Sequence, residues 1–285
     1  MSAGTLGGPD DLAPDERAAV ESLLFAMADD EYVLADRYTD WQVRGPTLEA
    51  DVSVANVAGD ELGHARLWYD LLEDFGYTEP ELIWERPPEE FRHATLVELS
   101  FPEGDWADLL VRAYLYDTYE HLLLESLEDS SYPRIADRVG KVIAEESYHR
   151  DHAQSWLERL SEDREARRRV QTALDRLFPH ALTLFVPTDA EERIVDLGVR
   201  TRPLTALRED WLRVVGGFLE GLGLRFPLAP EEDPDLALPG ALGRDGTHTE
   251  DWERQHREMT YTYRLLDRSE APRLMADPDE VDADV

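Results

Sequence analysis

The amino-acid sequence predicts an all-α protein, built as a four-helix bundle with additional helices in its C-terminal part. Apolar residues recur at helical spacing along most of the chain, and two of these apolar stripes contain the same Glu-x-x-His motif. No segment shows the alternation that is typical of a β-strand. At 285 residues the chain can bury a large core without crosslinks. We therefore expect one main domain over residues 14–270.

The first two helices are predicted before residue 75. Over residues 15–41, apolar side chains step by three and four positions along one helix face, and a Gly-Pro pair at 45–46 ends the helix. This face carries Leu24, Met27, Glu31, Leu34, Tyr38 and Trp41. A second helix begins near Thr47 and ends before Gly76. Its apolar face carries Val54, Ala58, Glu61, Ala65, Trp68 and Leu72.

The third helix is predicted over residues 105–128, and the fourth begins after Pro133. The face of the third carries Leu110, Ala113, Asp117, His121 and Leu124. The fourth has the most regular stripe, with Ile135, Val139, Val142, Glu146, His149, Ala153, Trp156 and Leu160. Four amphipathic helices thus precede residue 160, and we place the core bundle at about residues 15–160.

Additional helices are predicted over about 162–185, 204–222 and 249–266, with an acidic, proline-rich loop near 227–240. We assign these helices to the same domain, at about residues 162–268. Residues 1–13 are small and polar, and residues 271–285 are strongly acidic. Both ends are expected to be disordered.

The composition excludes several classes of function. The chain has no cysteine, which excludes disulfides, iron-sulfur clusters and thiol nucleophiles, so a metal must be held by oxygen and imidazole. The net charge of −34 argues against nucleic acid and anionic membranes as partners. With Lys141 as the only lysine, such an acidic coat suggests adaptation to high salt, although an ordinary acidic protein is the alternative. The sequence lacks a leader peptide pattern and a stretch of about 20 apolar residues, so we expect a cytoplasmic protein.

The two Glu-x-x-His motifs predict a metal site. Each motif places its glutamate and its histidine one turn apart on one helix face, and the first and third helices each add a carboxylate to their apolar stripe. The predicted ligands are Glu31, Glu61, His64, Asp117, Glu146 and His149. This is the ligand set of ferritin-like di-iron carboxylate bundles, and it suits two iron ions, with manganese as a possible alternative.

Other roles remain open for residues near these positions. Glu120 is an alternative to Asp117 as the ligand from the third helix. His121 and His152, and the acidic residues Asp60 and Glu145, are expected to be solvated or to support the ligands. The six predicted ligands could also form a metal-free polar layer of hydrogen bonds and ion pairs. The run Arg167, Arg168 and Arg169 is interpreted as solvated surface, with an anionic ligand as the alternative.

Several stretches resemble the phenylacetyl-CoA epoxidase family, whose oxygenase core consists of two related ferritin-like chains. Residues 55–65 (ANVAGDELGHA), the Tyr-His pair at 148–149, residues 155–160 (SWLERL), residues 246–250 (GTHTE) and the helix around Met259 look like its PaaC-type, mainly structural chain. Residues 41–48 (WQVRGPTL) and the six predicted ligands look like its catalytic PaaA-type chain.

The resemblance implies a subunit of a multicomponent monooxygenase that acts on phenylacetyl-CoA or a similar aryl-CoA thioester. Its partners would be a related ferritin-like chain and a reductase. A di-iron centre in this chain would activate dioxygen, with Glu61 and Glu146 as bridging ligands. The alternative is a scaffold that supports a catalytic partner chain. An iron or peroxide protein like rubrerythrin would have the site but not the helices after residue 160.

Overall fold

The computed structural model describes residues 5–101, 105–228 and 233–266. Within these ranges the regular elements are all helices, which confirms the predicted all-α, ferritin-like bundle with extra helices. No helix in the described ranges is both long enough and apolar enough to cross a lipid bilayer.

Four long helices form the bundle and pack as two antiparallel hairpins. They are α1 (Pro14–Thr39), α2 (Leu48–Glu73), α4 (Trp106–Glu125) and α5 (Pro133–Glu162). Helix α1 packs along α2, and α4 packs along α5. The start of α2 is capped by Thr47, whose hydroxyl accepts from the backbone N–H of Ala50 at 3.2 Å. Helices α1 and α5 both begin with proline, which has no backbone N–H. This costs no hydrogen bond, because an N–H at the first position of a helix has no partner within the helix.

The additional helices cover the α4–α5 hairpin and one end of the bundle. They are α3 (Thr95–Glu98), α6 (Arg164–Ala181), α7 (Glu191–Asp196), α8 (Leu204–Gly221), α9 (Glu250–Met259) and α10 (Tyr261–Leu265). Helices α6 and α8 pack against α4, and Trp211 of α8 donates its indole N–H to the Leu115 carbonyl at 2.9 Å. The short helices α3 and α7 were not predicted. The last predicted helix is divided at Thr260, whose hydroxyl donates to the His256 carbonyl at 2.6 Å.

The segment after residue 240 is anchored to the bundle by buried polar side chains. Arg244 pairs with Asp30 of α1 at 2.5 Å, and its other guanidinium nitrogen donates to the carbonyls of Ala26 and Arg92. Trp252 is fully buried and donates its indole N–H to the Pro88 carbonyl at 3.0 Å. The C-terminal segment is therefore part of the folded core.

The division into one domain with disordered ends stays a prediction. Of the N-terminal segment, the structure describes residues 5–13, which contain a short 3₁₀ turn at Pro9–Asp11. The backbone N–H of Leu6 donates to the Ser131 carbonyl at 2.7 Å. The acidic tail, residues 271–285, lies outside the described residues.

Candidate metal centre

The four long helices bring all six predicted ligands into the interior of the bundle. Glu31 comes from α1, Glu61 and His64 from α2, Asp117 from α4, and Glu146 and His149 from α5. Each of these residues is at most 2% exposed. The placement follows from the helical stripes, because every ligand occupies a position that would otherwise carry a core side chain.

The two imidazoles lie on opposite sides of a shared carboxylate. The Nδ1 atoms of His64 and His149 lie 3.3 and 3.1 Å from the same oxygen, Oε1 of Glu146. Each Nδ1 atom also has a second carboxylate at 3.8 Å, Glu31 for His64 and Glu61 for His149. Two metal-ligating groups could form here, Glu31–Glu61–His64 and Glu61–Glu146–His149, each with its ligand atoms within 4.8 Å of one another.

Helix α4 supplies two carboxylates to the centre rather than one. Glu120 forms a third possible group with His64 and Glu146, again within 4.8 Å, whereas Asp117 is in none of the three. Both side chains are buried, and neither makes a hydrogen bond through its carboxylate oxygens. They are three residues apart and so share one helix face. The sequence left Asp117 and Glu120 as alternative ligands. In the structure, both side chains face the interior of the bundle.

The outer ring nitrogen of each site histidine contacts an acidic residue of the opposite hairpin. Nε2 of His64 lies 2.7 Å from Glu145 of α5, and Nε2 of His149 lies 3.2 Å from Asp60 of α2. These two acidic residues directly precede the motif glutamates. A carboxylate on the outer nitrogen fixes the ring so that the inner nitrogen faces the site, as in carboxylate–histidine–metal arrangements. Trp68 orients Glu31 in a similar way by donating its indole N–H to Oε1 at 2.8 Å.

The chemistry of these groups fits a pair of cations. Seven buried side chains have inward atoms without a hydrogen bond, namely Glu31, Glu61, His64, Asp117, Glu120, Glu146 and His149. Buried carboxylates are costly unless they are paired, protonated or bound to a metal. Five carboxylates around two imidazoles leave an excess of negative charge, which two divalent ions would largely neutralise. Oxygen ligands with two imidazoles suit iron or manganese.

In the metal-free centre, bound protons compensate part of the negative charge of the carboxylates. Burial, together with the charges of Glu146 and Glu31, raises the pKa of Glu61 well above its usual range. Burial opposes the charged form of Glu146, but the close approach of His149 and His64 outweighs it and lowers that pKa to about 2. Burial likewise lowers the pKa of each site histidine, yet the neighbouring Glu146 raises both to about 9. The metal-free centre thus holds protons that a bound metal would displace.

A second buried cluster, His93–Glu98–His248, was not predicted. Nε2 of His93 and Nδ1 of His248 both lie 2.7 Å from Oε2 of Glu98, and the Thr249 N–H donates to Oε1 at 2.7 Å. These are hydrogen-bond distances, shorter than the 3.1–3.8 Å between nitrogen and oxygen atoms at the four-helix site. The Gly-Thr-His-Thr-Glu stretch at 246–250 was the only signal of this cluster in the sequence.

The remaining candidates lie outside the ligand positions. His121 is paired with Glu125 at 3.3 Å, and its ring is 18% exposed. His152 lines the cavities beside the centre. In the arginine run, Arg168 is mostly exposed and pairs with Glu165 at 2.6 Å, while Arg167 donates to the Ser161 carbonyl. These contacts support the prediction of a solvated arginine surface.

Comparison with known proteins shows the family of the chain. The family model described as "Phenylacetic acid catabolic protein" matches residues 5–270 of the chain. The chain belongs to this family. Among curated members, it is 29% identical over 243 residues to the PaaC-type subunit of the 1,2-phenylacetyl-CoA epoxidase of Escherichia coli (strain K12), covering 84% of this chain and 94% of the relative. It is 24% identical over 219 residues to the PaaA-type subunit of the same epoxidase, covering 75% of this chain and 69% of that relative. The resemblance of the sequence to the phenylacetyl-CoA epoxidase family is thereby confirmed.

Proposed function

We propose that this chain is a metal-binding subunit of a 1,2-phenylacetyl-CoA epoxidase, in which the four-helix site holds two irons. The observation that carries the proposal is the convergence of seven buried metal-ligating side chains whose inward atoms make no hydrogen bond. The names of the two relatives supply the reaction, and the family match over residues 5–270 supports extending it to this chain.

The geometry suggests a role for each ligand. Glu61 belongs to the groups of both histidines, and Glu146 lies within 3.3 Å of both Nδ1 atoms, so these two glutamates would be available as ligands to both ions. Glu31 would be a terminal ligand on the His64 side. Asp117 and Glu120 would both be available as ligands from α4. If bound here, an iron pair would supply dioxygen activation, for a reaction that places one oxygen atom on the aromatic ring and reduces the other to water with two electrons and two protons from outside the site.

The proposal requires partners. The chain has no cysteine to hold an iron-sulfur cluster, so we assign electron supply to a separate reductase. The two relatives are different subunits of one epoxidase, which supports a hetero-oligomer with a related chain. The phosphates of coenzyme A are repelled by a chain of charge −34, and a companion subunit is the natural source of a basic binding pocket.

A non-catalytic scaffold is the second candidate. It is favoured by the broader match to the PaaC-type relative, of which 94% is covered, against 69% of the PaaA-type relative. It is opposed by the buried ligand set and by the outer carboxylates on both histidines. A storage or peroxide function receives less support, because the family match extends through the helices after α5.

Metal content tests the proposal. The chain is purified anaerobically in high salt, loaded with ferrous ion, and assayed for iron and manganese per chain. We expect about two irons in the natural chain and loss of most of this iron in Glu61→Ala and His149→Ala, because each substitution removes a ligand from the pair.

The matched control is His121→Ala. It removes a histidine from α4 that pairs with Glu125 rather than with the site, so it should retain the iron. Substoichiometric iron that none of the three substitutions changes would contradict the metal site and leave the scaffold function.

A further inference from the structure

Two adjoining cavities lie beside the metal centre, on the side of α2 and α5. The inner cavity has a volume of about 20 Å³ and is bounded by Asp117 and His149 of the centre. Most of its remaining wall consists of apolar side chains, among them Val57 and Leu110. The inner cavity therefore joins the ligands to an apolar space within the bundle.

The outer cavity opens on the surface beside it. Its volume is about 440 Å³, and its wall includes Tyr148, Trp156 and Arg159 of α5. Two residues line both cavities, Ser53 of α2 and His152 of α5. The ring of His152 lies between Tyr148 and Trp156, with centroids 6.1 and 6.5 Å away. Neighbouring aromatic rings thus hold the position of this imidazole.

We propose that Ser53 and His152 form a gate on a route by which small molecules the size of dioxygen reach the centre. An aromatic ring does not pass this gate, so an aromatic substrate must approach the centre from another side. The inference rests on the proposed function, because a small molecule binds at the inner end of this route only if a metal is bound in the centre. It deepens that function by assigning a route and a size limit.

The volumes determine the class of molecule. A cavity needs roughly 10–15 Å³ to hold one water-sized molecule, whereas a cavity that binds benzene measures about 150 Å³. The inner cavity, at about 20 Å³, accommodates the first and not the second. The outer cavity is large enough for a ring, so the size limit lies in the inner cavity, where Ser53 and His152 border the outer one.

The gate is tested with nitric oxide, a diatomic molecule that binds ferrous iron and is detected by absorbance and by electron paramagnetic resonance. Binding to the anaerobic, iron-loaded chain is followed by stopped flow. Ser53→Leu narrows the passage and is expected to slow binding about tenfold, a barrier higher by about 1.4 kcal/mol. His152→Ala is expected to bind nitric oxide at least as fast as the natural chain.

The matched control is Ser155→Leu, the same substitution at a residue that lines only the outer cavity. It should bind nitric oxide at the natural rate. If Ser53→Leu does not fold, His152→Trp narrows the same point and carries the same expectation. Saturating toluene should leave the electron paramagnetic resonance signal of the iron–nitric oxide complex unchanged, because the ring cannot occupy the inner cavity beside the centre.

The results separate this inference from the proposed function. Full iron with equal nitric oxide rates in Ser53→Leu and Ser155→Leu would overturn the gate alone. A resonance signal of the nitric oxide complex that changes with toluene would overturn the size limit. A natural chain that takes up no iron would overturn the proposed function and the gate with it.

Discussion

At the scale of single residues, the most informative feature is the exchange of carboxylates between the two hairpins. Asp60 of α2 holds His149 of α5, and Glu145 of α5 holds His64 of α2. Each acidic side chain is partly exposed while its histidine is buried. The pairs therefore orient the imidazoles and also connect α2 to α5.

The outer carboxylates should matter for metal affinity. Asp60→Asn and Glu145→Gln keep the shape of the side chain and remove its charge. Each should weaken ferrous binding by about 10–100-fold, because an outer carboxylate raises the basicity of the ligating imidazole. A competitive chelator titration measures the change. The control is Glu125→Gln, which affects only the pair with His121. Equal ferrous affinities in all three variants would show that Asp60 and Glu145 do not support the site histidines.

The Glu98 cluster predicts a pH dependence of stability. Burial opposes the charged form of Glu98, but hydrogen bonds from His248 and His93 outweigh it and lower the pKa to about 2 from an ordinary value of 4.5. The pKa of Glu98 is lower in the folded state than in the unfolded state. The ionised side chain therefore stabilises the fold above pH 4.5, and this stabilisation is lost as the pH falls to about 2. Its size at neutral pH is about 3 kcal/mol.

Glu98→Gln tests this dependence in urea unfolding of the metal-free chain. The variant should lose about 3 kcal/mol of unfolding free energy at pH 7, and its difference from the natural chain should narrow as the pH falls below 4.5. Glu90→Gln, at an exposed position, is the control. A difference that is constant across the pH range would show that the carboxylate charge is not responsible.

At the scale of elements, two glycines allow the C-terminal segment to approach the bundle. Gly243 has a φ of +75°, and a Cβ atom built on it would lie 2.1 Å from the His93 carbonyl oxygen. Gly246 has a φ of +84°, with the Glu89 carbonyl oxygen at 2.4 Å. Both positions need the left-handed conformation and the absence of a side chain. They bring Arg244 and His248 to their buried partners.

Gly243→Ala should therefore disturb the C-terminal segment. The substitution adds a backbone strain of about 1–3 kcal/mol and a clash with backbone that cannot move as a flexible side chain would. Urea unfolding should show a loss of at least about 2 kcal/mol. Gly240→Ala is the matched control, since its Cβ would meet nothing within 4 Å and its φ is not in the left-handed region. Equal stability of the two variants would contradict this account.

The elements also show how far the sequence could predict the structure. The four long helices were predictable because each has several turns of regular apolar stripe. Helices α3 and α7 span four and six residues, too few to establish a period. The break at Thr260 depends on a local hydrogen bond between a hydroxyl and a carbonyl, which a stripe does not report.

The same reasoning applies to the site. The Glu-x-x-His motifs located four of the candidate ligands, because both members of each motif must share a helix face. Asp117 and Glu120 share a face as well, so spacing alone could not choose between them. The His93–Glu98–His248 cluster joins positions about 150 residues apart, and such a contact is set by packing rather than by local sequence.

At the scale of the whole molecule, the main electrostatic feature is the net charge of −34, which makes the acidic side chains repel one another. Arginines reduce the repulsion locally, as in the buried pairs of Arg86 with Asp29 and Arg244 with Asp30. The excess of acidic side chains remains, and its repulsion falls as salt shortens the Debye length from about 10 Å at 0.1 M to about 3 Å at 1 M.

Salt should therefore stabilise the fold. Between about 0.1 M and 2 M KCl, we expect the Tm to rise by at least roughly 5 °C, which corresponds to about 3 kcal/mol for a chain of this size. Differential scanning calorimetry measures the shift. A Tm that stays constant or falls with KCl would contradict the interpretation of the acidic coat as an adaptation to high salt.

We propose that α1, α2, α4 and α5 together hold two metal ions between His64 and His149. The most direct measurement is an anomalous difference map, collected at the iron absorption edge from crystals of the iron-loaded chain. We expect two peaks, one near Nδ1 of each histidine, within reach of Glu61 and Glu146. The absence of peaks at this position, or a peak only at His93, Glu98 and His248, would contradict it.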